Sequence, residues 1–152
     1  MSTASLKQRI QDDMKTSMKS GDKARLQVIR LIMSAIKQVE VDERIELDND
    51  RVITVLDKMT KQRRESADQY EKAGRDDLFQ QEMYEIGILK EFLPAELSEA
   101  EIETMIEEAI SSTGASSIKD MGKVMAQLKP KVQGRADMGA VSGKIKSRLD
   151  AA

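Results

Sequence analysis

Cysteine and histidine are both missing from this chain of 152 residues. Without cysteine there can be no disulfide, no thiolate metal site and no cysteine nucleophile. Without histidine there can be no Ser-His-Asp catalysis, no histidine general base and no histidine-ligated zinc. The sequence also lacks the glycine-rich phosphate loop that ends in Gly-Lys-Ser or Gly-Lys-Thr. We therefore predict that the chain has no catalytic residues of its own, no metal and no cofactor.

Aromatic residues and proline are scarce. Aromatics make up 3% of the chain, only two prolines occur, and 34% of the residues are charged. This composition favours helices with solvated faces over a β-sandwich, which needs alternating aromatic and β-branched residues. Ten methionines can join isoleucine, leucine and valine in filling helical cores. The composition thus predicts an all-α fold.

Long apolar runs are absent as well. No stretch approaches the ~18 apolar residues of a membrane helix. The opening MSTASLKQRI lacks the apolar centre of a secretory signal peptide. We therefore expect a cytoplasmic protein with no membrane partner. The net charge of −2 gives the chain no overall attraction to nucleic acid, so binding of that kind requires a local basic patch.

Capping residues divide the first part of the chain into four predicted helices. Ser5 is placed to cap the first helix, Gly21 to end it, and Asp22 to cap the second. The connections between the helices are short. Short connections indicate an antiparallel helical domain.

Pro94 marks the boundary between two predicted domains. Proline removes a backbone donor and disfavours helical geometry at the residue before it, here Leu93. Ser98 then begins another helix with a capping box, and the outer face of that helix is strongly acidic. The predicted domains are an N-terminal antiparallel helical domain, 1–93, and a small three-helix domain, 94–152.

Several residues inside the predicted helices call for a packing explanation. The third helix, predicted from about Arg51 to Lys72, contains the basic run KQRRE. Arg63 in this run falls on the line of the apolar side chains, yet the simplest interpretation is a solvated face with ion pairs four residues apart. Glycine is unfavourable inside a helix. A close approach between helix backbones is therefore predicted at Gly87, Gly122 and Gly143.

The segment 115–152 carries eight basic and three acidic residues, a net charge of +5. Phosphate binding needs such cations on one side of a rigid element. Lys119 and Lys123 lie four residues apart on a helix predicted for 118–128 and ended by Pro130. No aromatic residue here could stack on single-stranded bases, so a folded RNA fits better. The candidate nucleic-acid-binding residues are Lys119, Lys123, Lys129, Lys131, Arg135, Lys144 and Arg148.

These cations have a second interpretation. They can keep the surface soluble and neutralise the acidic helix that precedes them. The segment from Lys129 to Arg135 is predicted to be a loop, and Lys144 and Arg148 repeat the four-residue spacing on the last helix. The residues alone leave both interpretations open.

Four stretches of the sequence resemble the GatB/YqeY family. They are GDKARLQVIRLI from Gly21, KQRRESADQYEKAGRDDL from Lys61, EFLPAELSEAEI from Glu91 and GASSIKDMGKVMAQLKPKVQGRAD from Gly114. In this order they span almost the full chain. The chain is most similar to the free-standing YqeY proteins, and its C-terminal part is similar to the tail domain of the B subunit of tRNA-dependent amidotransferases.

This resemblance implies a helical N-terminal domain followed by a tail-like domain. In the amidotransferase the tail helps to hold misacylated tRNA, while other domains activate the substrate and release ammonia. Those domains have no counterpart here, so the resemblance implies a carbon–nitrogen ligase relationship, with glutamine as amido-N-donor, without the catalytic machinery. Gln133 departs from the tail pattern, which often has lysine there. The positions that match the pattern are Lys119, Gly122, Met125, Gly134, Ala136 and Asp137.

The sequence and the resemblance together predict a tRNA-associated accessory protein that binds folded tRNA through its basic tail-like module. One alternative is a helical protein–protein interaction module that uses the acidic fifth helix and the wide apolar stripe of the second. Another is a non-catalytic component of an amidotransferase complex. The expected partners are tRNA and, beyond it, proteins of the translation machinery.

Overall fold

The computed structural model describes residues 5–151, and every regular element in that range is helical. The prediction of an all-α fold is confirmed. None of the helices in residues 5–151 combines the length and apolarity needed to cross a membrane. The helices are α1 (Leu6–Ser20), α2 (Lys23–Glu43), α3 (Asn49–Lys72), α4 (Asp76–Phe92), α5 (Glu99–Thr113), α6 (Met121–Val132) and α7 (Met138–Ala151), with a 3-10 turn (Ile118–Asp120) before α6.

The described residues fall into two compact units, one up to Leu93 and one from Pro94. The first unit contains α1 to α4, which meet around one apolar core. Ile10 of α1, Ile36 of α2 and Leu56 of α3 are each 0% exposed. Complete burial of such a side chain stabilises a fold by about 1.5–3 kcal/mol. The core therefore supplies most of the force that holds the four helices together.

Local capping explains where the first helices begin and end. The Ser5 hydroxyl accepts a hydrogen bond from the backbone N–H of Gln8, and the Asp22 carboxylate accepts one from the N–H of Arg25. Gly21 ends α1 in the left-handed conformation, with φ of 75°. All three predicted caps are confirmed, because capping depends on residues within one turn of the helix end.

Half-buried ion pairs add specific contacts to the apolar core of the first unit. The Arg25 guanidinium of α2 lies 2.7 Å from the Asp13 carboxylate of α1 and 2.9 Å from the Glu91 carboxylate of α4. The hydrogen bond from Arg25 lowers the pKa of Asp13. One side chain thus connects three helices.

Arg63 makes a second polar contact, between α3 and α4. Its Nε lies 2.8 Å from Oε2 of Glu85 and 3.7 Å from Oε2 of Glu82. All three side chains are half-buried or better, with 23%, 13% and 17% exposed for Arg63, Glu85 and Glu82. The interpretation of KQRRE as a solvated face is therefore wrong for Arg63. Its position on the apolar line reflects a partner on another helix.

The second unit contains α5, the 3-10 turn, α6 and α7 around its own core. Ile106, Val124, Leu128 and Ile145 are each at most 1% exposed. The predicted capping box at the start of α5 is confirmed, since the Ser98 hydroxyl and the Glu101 side chain each accept the other residue's backbone N–H. This reciprocal pair fixes the helix start at the boundary between the units.

The glycines inside helices do not mark close helix crossings. A Cβ atom added to Gly87, Gly122 or Gly143 would meet no heavy atom within 4 Å, and all three residues are exposed. The prediction of close backbone approach at these positions is wrong. These glycines leave flat, open places on the outer surface of α4, α6 and α7.

Candidate nucleic-acid interface

The basic segment has a different helical layout from the predicted one. Lys119 lies in the 3-10 turn, so the prediction that it shares one α-helix with Lys123 is wrong. Pro130 lies inside α6 and does not end it, so Lys129 and Lys131 are helical and not part of a loop. The helical part of the basic segment therefore extends further along the chain than predicted.

Tertiary packing explains why α6 continues past its proline. Pro130 has no N–H, which removes one backbone hydrogen bond from the helix. Val132 follows Val124 and Leu128 at four-residue intervals and is 0% exposed. Burial of Val132 offsets the lost hydrogen bond, and the chain turns away only at Gly134, where φ is 75°.

Asp120 holds the turn that carries Lys119. Its carboxylate accepts hydrogen bonds from the backbone N–H groups of Ser116 at 2.9 Å and Ser117 at 3.3 Å. These two N–H groups lower the pKa of Asp120. Lys123 Nζ lies 4.0 Å from the same carboxylate. Asp120 is not among the predicted site residues, although the Ser117-x-x-Asp120 spacing is a capping signal that could have indicated it.

Five lysines of the basic segment are exposed to solvent. Lys119, Lys123, Lys129 and Lys131 are predicted site residues, and Lys146 on α7 is an additional one. Apart from Lys123 beside Asp120, none of them has a carboxylate within 4.0 Å in the described part of the chain. Their charges are therefore available to an anionic ligand.

The exposed surface of α6 between these lysines is formed by residues with small side chains. Gly122, Ala126 and Pro130 follow one another at four-residue intervals and are all exposed. At 3.6 residues per turn this spacing places them along one side of the helix. A bulky ligand backbone can approach this line closely, with Lys123 and Lys129 beside it.

The other three predicted residues are held by contacts within the second unit. Arg135 Nε donates a hydrogen bond to the Ala95 carbonyl at 3.0 Å. Lys144 Nζ and Arg148 Nη2 lie 3.7 Å and 3.6 Å from the Glu103 carboxylate of α5. All three cations are half-buried. The seven predicted residues thus divide into four exposed lysines and three cations with internal partners.

Comparison with known proteins identifies the family. Residues 7–149 match the family described as Yqey-like protein. The chain belongs to the YqeY-like family. It is 32% identical to altered inheritance of mitochondria protein 41, mitochondrial, of Eremothecium gossypii, over 94% of this chain and 80% of that protein. The proteins of the same name from Pyrenophora tritici-repentis and Komagataella phaffii are 26% and 29% identical, over 94% and 92% of this chain and 80% and 78% of theirs.

The names of these relatives contradict the predicted cytoplasmic location. Each is named as a mitochondrial protein, so the prediction is wrong. The physical reason is that a missing apolar leader argues only against a secretory signal. Mitochondrial targeting uses amphipathic, arginine-rich segments, which an inspection for apolar runs does not detect.

Proposed function

We propose that this YqeY-like protein is an accessory RNA-binding protein whose second unit binds folded tRNA through the outer face of α6. The observation that carries this proposal is the set of four exposed lysines: Lys123 and Lys129 lie on either side of the line formed by Gly122, Ala126 and Pro130, Lys119 lies in the turn before α6, and Lys131 lies near the end of the helix. The proposal includes no chemical step performed by this chain.

Phosphate contacts account for the binding. Each lysine that neutralises a phosphate releases a condensed counterion, which makes affinity strongly dependent on salt. The 12 residues of α6 extend over about 18 Å, so its lysines can contact several phosphates of one RNA helix at once. Folded RNA is recognised largely through backbone shape and charge, which needs no aromatic side chains.

The internally bound cations have a supporting role in this proposal. Arg135 ties the loop after α6 to the segment before α5, where the Leu97 N–H also donates to the Arg135 carbonyl at 2.9 Å. Lys144 and Arg148 tie α7 to α5 through Glu103. These contacts fix the position of α6, which presents the exposed lysines.

The similarity to the amidotransferase tail bears on the ligand and on the biological setting. The proposed role is to hold tRNA for a glutamine-dependent ligase or a related translation factor, while separate proteins carry out the chemistry. Because the relatives carry mitochondrial names, mitochondrial tRNA belongs among the ligands to be tested.

Titration of the full chain with fluorescently labelled tRNA at several salt concentrations tests this function. Four phosphate contacts predict that the logarithm of the affinity falls against the logarithm of the salt concentration with a slope of about −3 to −4. The double substitution Lys123→Glu with Lys129→Glu should weaken binding and make this slope shallower by about 2.

A matched control uses Lys58→Glu with Lys61→Glu, two exposed lysines on α3 that make the same change in net charge. This control should bind tRNA with the affinity of the wild type. An affinity too weak to measure at low salt, or equal loss in both double variants, would exclude the α6 face as the tRNA site.

A further inference from the structure

The solvent-facing side of α2 carries a basic residue at every seventh position, Lys23, Arg30 and Lys37, and Arg44 follows at the same interval just past the helix end. Seven residues correspond to nearly two helical turns and a rise of about 10.5 Å. The three helical side chains therefore form a row almost parallel to the helix axis, and Arg44 stands at its end. All four are exposed, and none has a carboxylate within 4.0 Å in residues 5–151. We call these four residues the basic row.

The acidic residues of α2 do not neutralise this row. Glu40 is half-buried and binds Lys7, whose Nζ lies 2.8 Å from Oε2. Glu43 pairs with Arg51 of α3. Asp42 lies on the opposite edge of the exposed face by helical spacing. Lys37 contributes to the lowered pKa of Glu40, but that carboxylate is already bound by Lys7. The basic row therefore keeps a net positive charge.

An apolar strip lies beside the basic row. Leu31, Val41 and Ile45 are 41%, 59% and 42% exposed. On α2, the residues Leu31, Ser34, Gln38 and Val41 follow the three-and-four spacing of a seam between two helices. Ile45 lies just past the left-handed residue Arg44 that ends the helix. If these seam residues are assigned to the two core positions of a heptad repeat, the basic row falls at the position next to the seam. In coiled coils, charges at that position determine which helix binds as the partner.

The backbone at the end of the row provides a separate observation. Arg44 has φ of 56°, a left-handed conformation in which the Cβ atom is unfavourable. Among the residues that the structure describes, the others with positive φ are all glycine: Gly21, Gly74, Gly114 and Gly134. A cation is favourable at a helix C-terminus, but a lysine or arginine at a neighbouring position would have the same effect without left-handed backbone. The basic residue instead stands at the strained position, which is the one that continues the seven-residue interval of the basic row.

We infer that the outer face of α2 binds an acidic amphipathic helix of a partner protein. The apolar strip would pack against the partner's aliphatic side chains, and the basic row would pair with its flanking glutamates or aspartates. This surface lies in the first unit and is additional to the proposed RNA interface. The partner helix would carry negative charges opposite the basic row. The proposed protein ligand is therefore separate from the proposed RNA ligand of the second unit.

Two other occupants fit the surface less well. A second copy of the chain, packed antiparallel on α2, would place two basic rows side by side, and like charges across such a seam repel. An RNA duplex would neutralise the basic row but would gain little from Leu31, Val41 and Ile45, because its backbone is polar and charged. The combination of aliphatic and basic positions favours an acidic helix.

The test uses a labelled synthetic helix of about three heptads with leucine at the seam positions and glutamate at the flanking positions. Fluorescence anisotropy with the full chain should show binding, and a matched peptide with lysine in place of glutamate should bind about tenfold more weakly or worse. Arg30→Glu with Lys37→Glu should weaken binding of the acidic peptide by about tenfold. Lys58→Glu with Lys61→Glu should leave it within about twofold.

A second variant separates packing from charge. Leu31→Ser with Val41→Ser keeps the basic row and should also weaken the acidic peptide severalfold, with circular dichroism showing unchanged helix content. The inference is overturned if the peptide does not bind, or if it binds all variants alike. It is also overturned if the α2 substitutions abolish binding of an RNA duplex or of anionic lipid vesicles in place of the peptide, or if they dissociate a dimer of the wild type in sedimentation.

Discussion

The contact between Arg63, Glu82 and Glu85 makes a sharp prediction about stability. One guanidinium serves two carboxylates that are three residues apart on α4. Oε2 of Glu82 is buried and makes no hydrogen bond among the described residues. Burial and the neighbouring charge of Glu85 raise the pKa of Glu82, and Arg63 compensates only partly. Ionisation of Glu82 is therefore less favourable in the folded protein than in the unfolded chain.

Substitution Glu82→Gln removes this charge and leaves a one-to-one pair between Arg63 and Glu85. A buried acceptor without a hydrogen bond costs about 1–3 kcal/mol, and the glutamine amide retains part of that cost. We expect the free energy of unfolding at pH 7 to rise by about 1 kcal/mol. For a unit of this size that corresponds to an increase of about 4–8 °C in Tm.

The matched substitution Glu85→Gln should have the opposite effect. It removes the carboxylate at 2.8 Å from Arg63 and leaves the one at 3.7 Å. Loss of one partner of this half-buried ion pair costs about 1–3 kcal/mol, between the values for exposed and for buried pairs. The two glutamine variants have the same net charge, so the difference between them depends only on the local geometry.

The pH dependence of stability provides an independent check that Glu82 destabilises the folded protein when it is ionised. A carboxyl group with a higher pKa in the folded than in the unfolded state binds more protons when folded, so its contribution to stability falls as pH rises through that interval. The gain in free energy of unfolding of Glu82→Gln over the wild type should therefore be complete at pH values above the raised pKa of Glu82. It should disappear at pH values below the ordinary value of 4.5.

Thermal unfolding followed by near-ultraviolet circular dichroism of tyrosine suits this measurement. The chain has no tryptophan and two tyrosines, Tyr70 and Tyr84, both in the first unit. The signal thus reports on the unit that contains the substitution. A lower Tm for Glu82→Gln at pH 7, or an advantage that persists unchanged at pH 3.5, would refute the reasoning.

Three further substitutions have defined outcomes. Gly87→Ala should raise the free energy of unfolding by about 1 kcal/mol in urea denaturation, because an added Cβ meets nothing within 4 Å. Gly21→Ala should lower the free energy of unfolding, because the φ of Gly21 is 75°. Arg25→Met should cost about 2 kcal/mol by the same assay, since two carboxylates lose their partner; no change would contradict the three-helix contact. Leu128→Ala should cost about 2–5 kcal/mol and raise amide exchange in α5, α6 and α7, because the side chain is 1% exposed; unchanged exchange would contradict its place in the core.

Helix ends and fold class could be predicted from the sequence because they depend on neighbouring residues. A cap needs a hydroxyl or carboxylate within one turn of the N–H group it accepts from, as at Ser5, Asp22 and Ser98. The all-α class follows from composition and from apolar spacing along single helices. Interactions between distant residues play little part in either.

The candidate site was predicted less completely. Four of the five exposed lysines of the basic segment could be selected from the sequence by their charge. The contacts that occupy Arg135, Lys144 and Arg148 involve Ala95 and Glu103, which are distant in sequence. No pattern of spacing within the basic segment could have separated the two groups.

The residues along the chain were enough to place the caps, the helical periods and the positive charge of the C-terminal segment, because these are properties of short stretches. Only the tertiary structure decided the course of α6, the partner of Arg63 and the exposure of the basic row on α2. Each of these depends on which side chains from other helices lie nearby. Burial of Val132 keeps α6 intact across Pro130, and a local proline penalty alone would have ended the helix.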